Sequence, residues 1–318
     1  MTKRENFIKA LKLEKMTGRV PHFELVFFLT MEVLGKVHPI HRAYSQWNQM
    51  SAKERELHLA DMADCYIDVA RKYDHSAIFI HPNPSDFENI VRLLEIIREK
   101  SGDEYYLMMH GDPTYSIPDG HNMEEIAASF YEEPEKMLLE AQSRVDNCVV
   151  FAEKMAKHKG LLDGFALCSD YCFNVNPFLS PNMFSEFVTP FLAKILAQYR
   201  NMGFYSIKHT DGNIMPIVDQ MVECKPDAIH SIDPQGGVNL AVMKRLYGDK
   251  VCLVGNVNCG LLQTGTDEEC EADVIRSLTE GMVDGKGYIF STSNCVYTGL
   301  PLERYELMNK IWVEKGNY

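Results

Sequence analysis

The chain has 318 residues, of which 46% are apolar, and carries 45 acidic against 32 basic side chains for a formal charge of −13. That much apolar material supports one large barrel or two smaller domains. An acidic chain without a basic stripe argues against nucleic acid or an anionic membrane as main partner and leaves a basic protein partner open.

Met1 to Leu13 carries Lys3, Arg4, Glu5 and Lys9 and has no leader-like apolar run. No uncharged apolar stretch approaches the ~18 residues of a membrane span. The nine cysteines are scattered without a Cys-x-x-Cys pair, which points to reduced thiols and a cytoplasmic setting.

In chain order, Thr2-Lys3-Arg4-Glu5 is a capping box that opens a short helix. Val20 to Phe28 is the first strand candidate, with Glu24 among apolar neighbours. Leu29 to Met50 is a long irregular connection of the kind that often forms a lid or binding loop. Ser51 to Glu54 caps a helix to about Lys72. Ser76 to His81 predicts a strand, and Ser85 to Glu88 caps a helix to Lys100 that ends at Ser101-Gly102-Asp103. Glu104 to His110 predicts the next strand. Pro134 to Lys159 predicts a long helix closed by Gly160.

Phe165 to Ser169 reads as a strand, and Ser180-Pro181 opens a helix. Phe204 to His209 is the next strand, followed by a helix over about Ile214 to Cys224. Asp227 to Ile232, Val251 to Gly255 and Gly287 to Thr292 complete the strands. Between and after them lie helices at Leu240 to Tyr247, at Thr266 to about Val283, and at Pro301 to about Lys315.

About eight apolar strands, each followed by a helix, predict an α/β chain with a parallel sheet, and ~300 residues is the size of a (β/α)8 TIM barrel. No linker or low-complexity segment divides residues 1–318, which reads as a single domain. The alternative is an open doubly wound sheet, against which stands the lack of a Gly-x-Gly-x-x-Gly after any early strand.

In a barrel the functional groups gather at the C-terminal ends of the strands. Those ends supply Glu24, His81, His110 with Asp112, Asp170 with Tyr171, His209 with Asp211, His230 with Asp233, Asn256 with Asn258, and Asn294 with Cys295. His209 and Asp211 are two apart at a strand end and so project together. An imidazole beside a carboxylate binds a metal, shares a proton, or simply caps a turn. Cys295 brings a thiolate from the last strand to a plausible zinc site with an open position; the alternatives are a buried thiol and a Cys–His nucleophile pair.

Several stretches resemble the uroporphyrinogen decarboxylase superfamily. They are Arg4-Glu5-Asn6-Phe7 with Ala10-Leu11 and Arg19-Val20-Pro21, Asp170-Tyr171 through Phe178-Leu179-Ser180-Pro181, and Lys208 to Asn213. Asp227 to Pro234 and Val254-Gly255-Asn256-Val257 continue the likeness, which spans essentially the whole chain. The resemblance implies a (β/α)8 barrel. It also implies one of two chemistries.

The decarboxylases carry an early Arg-rich motif that grips an acidic porphyrinogen, whereas Glu24 to Thr30 here has no Arg. The other branch comprises cobalamin-dependent methyltransferases, which use a zinc on a His-x-Cys pair after the fifth strand and a Cys after the eighth. This chain matches at His209 and Cys295 and departs at Asp211, where that branch has its second thiolate.

The resemblance therefore implies a methyltransferase moving a methyl group from a small methylated donor, with an aromatic methyl ether favoured, to the corrinoid of a separate protein. On that reading His209, Cys295, Asp211 and Glu24 are the metal-ligand candidates, and zinc is the expected ion. Catalytic roles are expected at His209, Asp211 and Asp170. Tyr171, His110, His230, Asn256, Phe27 and Tyr297 are expected to contact substrate, with Phe28, Phe173 and Phe178 also near the rim.

The alternatives are a decarboxylase for a smaller substrate, a methyl-corrinoid:thiol methyltransferase, and a non-catalytic subunit that docks a corrinoid protein. If Asp211 does not coordinate, His209 acts as a general acid in a metal-free site. The Asp-x-His-x-x-Gly cobalamin pattern is absent, so a corrinoid is expected on a partner. A homodimer is left open.

Overall fold

A computed structural model describes residues 1–318. Seven strands form one all-parallel sheet in chain order. They are β1 (Ala77–Ile80), β2 (Tyr106–His110), β3 (Gly164–Leu167), β4 (Tyr205–His209), β5 (Ala228–His230), β6 (Cys252–Val254) and β7 (Tyr288–Ile289).

The expected strand over Val20 to Phe28 is not a continuous strand. It makes single bridges, His22 to Phe290 and Phe27 to Val296, both parallel. Pro21 has no N–H to give, so only its carbonyl joins the seam, accepting from Phe290 N at 2.8 Å. On the other side Ser76 N donates to His22 O at 2.6 Å. This segment therefore lies between β7 and β1 and closes the sheet into a barrel with eight staves.

Strand alternation sends Phe79, Met108, Ala166, Ile207, Val254 and Ile289 to the barrel interior. Ile78, Leu107, Phe165, Ile229, Leu253 and Tyr288 face the helices and belong to the larger core. Burial on both faces is why these strands read as apolar runs rather than alternating ones.

The opening helix Lys3–Leu11, capped by Thr2 and Glu5 as expected, plugs the N-terminal end. Its Phe7 ring lies 4.7 Å from Tyr106 and 5.7 Å from Phe23. Only the C-terminal end of the barrel is left open for a site.

Several boundaries differ from expectation. The cap of the helix Phe87–Ser101 is Asp86, which accepts from Asn89 N, rather than Ser85. The helix after Pro134 stops at Met155, and a helix Met123–Glu132 precedes it. The helix expected over 214–224 is confined to Val218–Glu223. The connection after Phe28 contains a short helix Thr30–Leu34 and two 3-10 turns. Asn83 Nδ2 pins it by donating to Pro39 O at 2.9 Å and Arg42 O at 2.7 Å. No helix is long and apolar enough to cross a membrane.

Candidate metal centre

β4 ends on His209, and the turn Thr210-Asp211-Gly212 follows. Gly212 sits at φ +79°, where a Cβ would run into the carbonyls of Cys172 and Phe173. Its N–H donates to Asp233 Oδ2 at 3.0 Å. The turn that carries Asp211 is therefore fixed, and only glycine fits it.

His209 points inward, and its Nδ1 lies 2.8 Å from Nδ1 of His230, its register partner on β5. His230 Nε2 lies 3.2 Å from the Thr292 carbonyl oxygen. Nε2 also lies 3.3 Å from Ser291 Oγ, but that hydroxyl donates to Glu24 Oε2 at 3.3 Å and the Thr292 carbonyl only accepts, so the proton belongs on His230 Nε2. His230 is fully buried, which pushes its pKa well below the usual imidazole value and keeps the ring neutral. Its Nδ1 is then a lone pair, and His209 must donate to it from Nδ1–H.

His209 Nε2 is thereby left as a bare lone pair. It faces Asp170 Oδ1 at 3.6 Å and Asp211 Oδ1 at 3.8 Å. Ligand atoms of these three residues all lie within 4.8 Å of one another.

Burial, then the neighbouring Lys208 charge, pushes His209 down to about 3, so the imidazole stays neutral. Burial also raises Asp170 above the usual carboxylate range. Asp211 is pushed up to about 7 by burial and then by the charge of Asp170.

The Ser231 hydroxyl lies 2.8 Å from Asp211 Oδ1 and 2.5 Å from the Ser293 carbonyl. The single hydroxyl hydrogen serves one acceptor fully, so a proton on Asp211, donated to Ser231 Oγ while Ser231 donates to Ser293 O, satisfies both contacts. Ser231 reaches both partners from φ +89°, a left-handed conformation uncommon for a residue with a Cβ. Asn294 Nδ2 donates to Asp211 Oδ2 at 2.5 Å and completes its hold.

A neutral nitrogen lone pair and two carboxylates facing one space are a donor set that could hold a cation. Donors about a tetrahedral zinc-type ion at ~2.0–2.1 Å stand roughly 3.3 Å apart. The His209 separations of 3.6 and 3.8 Å lie near that value, so the donor set fits a divalent cation in its chemistry and spacing about His209.

Of the residues expected at the metal, His209 and Asp211 are brought together, and Asp170 joins them. Glu24 is placed elsewhere. Its Oε1 is 3.1 Å from His22 Nε2, and its Oε2 accepts from Thr292 N at 3.2 Å and Thr292 Oγ1 at 2.5 Å. With both oxygens occupied inside the closing seam, Glu24 is an anchor for Thr292. Cys295 is in no set of three donors within 4.8 Å. It follows Asn294 at the rim, and burial, then the charges of Asp211 and Glu24, push its thiol up to about 11.

The expected substrate contacts divide. His110 is exposed at the end of β2, and Tyr297 is half-buried with its hydroxyl donating to Gln263 Oε1 at 2.9 Å. Phe27 packs in the core against Tyr73 and Tyr305. Asn256 is buried, with Nδ2 donating to Ile232 O at 2.8 Å and Oδ1 accepting from Arg276. Tyr171 is buried, its hydroxyl 2.7 Å from Thr114 Oγ1 and its ring 3.9 Å from Lys208 Nζ. His230 orients His209 from within the barrel. These last four have no free polar group to offer a substrate.

Sequence reasoning did not find Thr292 O, because a backbone carbonyl carries no residue signature. It also passed over Lys208. That buried ammonium donates to Asp112 Oδ2 at 2.7 Å and Ser169 O at 2.7 Å and ties the ends of β2, β3 and β4 together.

A search of curated proteins finds no match. Among solved structures, a methyltransferase from Methanosarcina mazei superposes with a TM-score of 0.74 at 17% identity, covering 99% of each chain. An N-acetylneuraminate lyase from Mycoplasma synoviae aligns at TM-score 0.39 and 12% identity, over 98% of this chain and 80% of that one. The family model described as uroporphyrinogen decarboxylase (URO-D) matches residues 107–313, which takes in β2 through the last helix and all three metal-centre residues. The chain belongs to the uroporphyrinogen decarboxylase family.

Proposed function

We propose that this protein is a methyltransferase that takes a methyl group from a small neutral methylated donor and passes it to the corrinoid of a separate protein. The reading rests chiefly on one observation: the His209 Nε2 lone pair faces two carboxylates, a donor set that a divalent cation would join. The family membership and the fold shared with the Methanosarcina mazei methyltransferase agree with it.

Asp170, His209 and Asp211 would hold the ion. When bound, a zinc-type cation supplies Lewis acidity toward the donor's ether or hydroxyl oxygen. His230 holds His209 in the ligating tautomer, while Ser231 and Asn294 hold Asp211. Three oxygen and nitrogen donors leave positions open at the ion, and Cys295 would have to move toward them to add a sulfur. His110 and Tyr297 would line the mouth.

No arginine in Glu24 to Thr30 is available to clamp a polycarboxylate substrate, so decarboxylation of a porphyrinogen is disfavoured. An aromatic methyl ether is the favoured donor.

The purified protein should carry about one zinc-type ion per chain by elemental analysis. His209→Ala should lose it and reduce methyl transfer about 100-fold or more with the fold intact by circular dichroism. Full activity in metal-stripped protein would end this reading. Carbon dioxide release without any corrinoid would replace it with decarboxylation.

A further inference from the structure

A cavity of about 450 Å³ opens on the C-terminal side of the barrel, over the end of β2 and between the helices Phe87–Ser101 and Pro134–Met155. That volume lies within the range of small-molecule pockets, ~300–1,000 Å³. Its walls include Met109 and Phe165, which face outward from the strands, and Phe151 from the second helix. It is also lined by His81 and His110, which follow Phe79 and Met108 in the inward-facing rows of β1 and β2. The cavity therefore crosses the barrel wall at its rim, reaching from the helix layer toward the mouth.

Its chemistry is selective. No Asp, Glu, Lys or Arg lines it. Both imidazoles are held below their ordinary pKa by burial, so they are neutral polar groups at pH 7. Their rings lie 4.9 Å apart and both rest on Phe79. His81 is only 6% exposed, and its Nδ1 has no hydrogen-bond partner. Its backbone N–H and C=O are both tied to the Tyr66 hydroxyl, at 3.1 and 3.0 Å, so the strand end is fixed.

A charged ligand entering here would lose its hydration with no counter-charge to meet it. A flat ring would meet Phe151, Phe165 and two imidazole rings in offset or edge contacts, with the Met109 side chain beside it.

We infer that this cavity is a binding site for an uncharged single-ring aromatic ligand bearing a small polar substituent. The inference deepens the methyl-transfer reading by naming where the donor's ring lodges; it rests on that reading for the chemistry, while the binding itself does not require it.

The test uses the full chain, stripped of metal, titrated calorimetrically with 2-methoxyphenol and, separately, with 4-methoxybenzoate. The neutral phenol should bind and the anion should bind at least about tenfold more weakly. Cys148→Phe and Asn147→Phe, both from the helix Pro134–Met155, put a ring into the cavity from one side. Each should weaken phenol binding about tenfold or more while the melting temperature stays within a few degrees.

Absent binding, equal binding of the anion, or binding untouched by both phenylalanine variants would overturn the proposal. Cavity binding without methyl transfer under any corrinoid condition would keep this site and remove the enzymatic reading. Methyl transfer from 2-methoxyphenol that is insensitive to both variants would do the reverse.

Discussion

At the scale of single residues, the centre is set by a chain of hydrogen bonds whose direction starts from an oxygen that cannot donate. The Thr292 carbonyl fixes His230, His230 fixes His209, and His209 turns its free lone pair on Asp170 and Asp211. His230 was expected to touch substrate; the structure sets it behind His209, where it would act as a positioning residue. His230→Phe removes the acceptor for His209 Nδ1–H, so the His209 tautomer is no longer imposed. Cation affinity, measured by competition with a chromophoric chelator, should fall about 10–100-fold in that variant. Leaving the Thr292 carbonyl unpaired should cost about 1–3 kcal/mol of stability at the same time. Unchanged affinity would mean that the relay does not orient the ligand.

At the scale of elements, the ends of β2, β3 and β4 are held by an ion pair outside the barrel wall. Lys208 is 0% exposed and points away from the interior, yet its ammonium meets Asp112 and the carbonyl of Ser169 and lies over the Tyr171 ring. Asp112 in turn accepts from Ser169 N at 2.9 Å and from Thr114 N at 2.9 Å. Those contacts hold Asp112 below the usual carboxylate range, against the burial that would raise it, with the Lys208 charge the largest of the favourable causes. Lys208→Met strands that carboxylate and should destabilise by about 3–5 kcal/mol in urea unfolding. Adding Asp112→Asn should recover part of the loss, because the uncompensated charge is gone. Equal loss in the single and double variants would mean that packing, not charge, explains the effect.

At the scale of the whole molecule, folding buries imidazoles in neutral form. Burial is the first cause that lowers His38 and His81 to about 3 and His75 well below its ordinary value. An unfolded histidine titrates near 6.5. Between pH 6.5 and 3 the unfolded chain thus binds protons that the folded chain refuses, so stability falls as pH falls through that window. Each such group contributes up to about 1.4 kcal/mol per pH unit. Asp211, raised to about 7, and Asp170 and Asp227, also raised by burial, act with the opposite sign, since the folded state holds their protons between the unfolded and folded values. With His110, His209 and His230 lowered as well, six histidines outnumber these three carboxylates, and the urea midpoint should be lower at pH 5.5 than at pH 7.5. A midpoint that rises on acidification would contradict the burial of these rings in neutral form.

Much of this was legible in the chain itself. Apolar runs such as 77–80 and 252–254 lie on both faces of a parallel sheet, and that burial is local enough to read from composition. Capping boxes at Thr2 and Thr266 marked helix starts because the bonds involved span three residues. The first stave pairs only at His22 and Phe27 rather than as a continuous strand, because beyond Phe23 the Thr292 N–H goes to the Glu24 carboxylate instead of a backbone carbonyl, a partner distant in sequence.

His209 and Asp211 could be paired from their spacing in the chain, although β4 ends at His209 and it is the turn fixed by Gly212 that brings Asp211 back beside it. Which third donor stands beside them could not be read that way, because Asp170 and Cys295 come from different strand ends, and only the register and stagger of the closed barrel select between them. The direction of the proton on His209 belongs wholly to the tertiary structure, since it descends from a backbone oxygen that every residue type possesses.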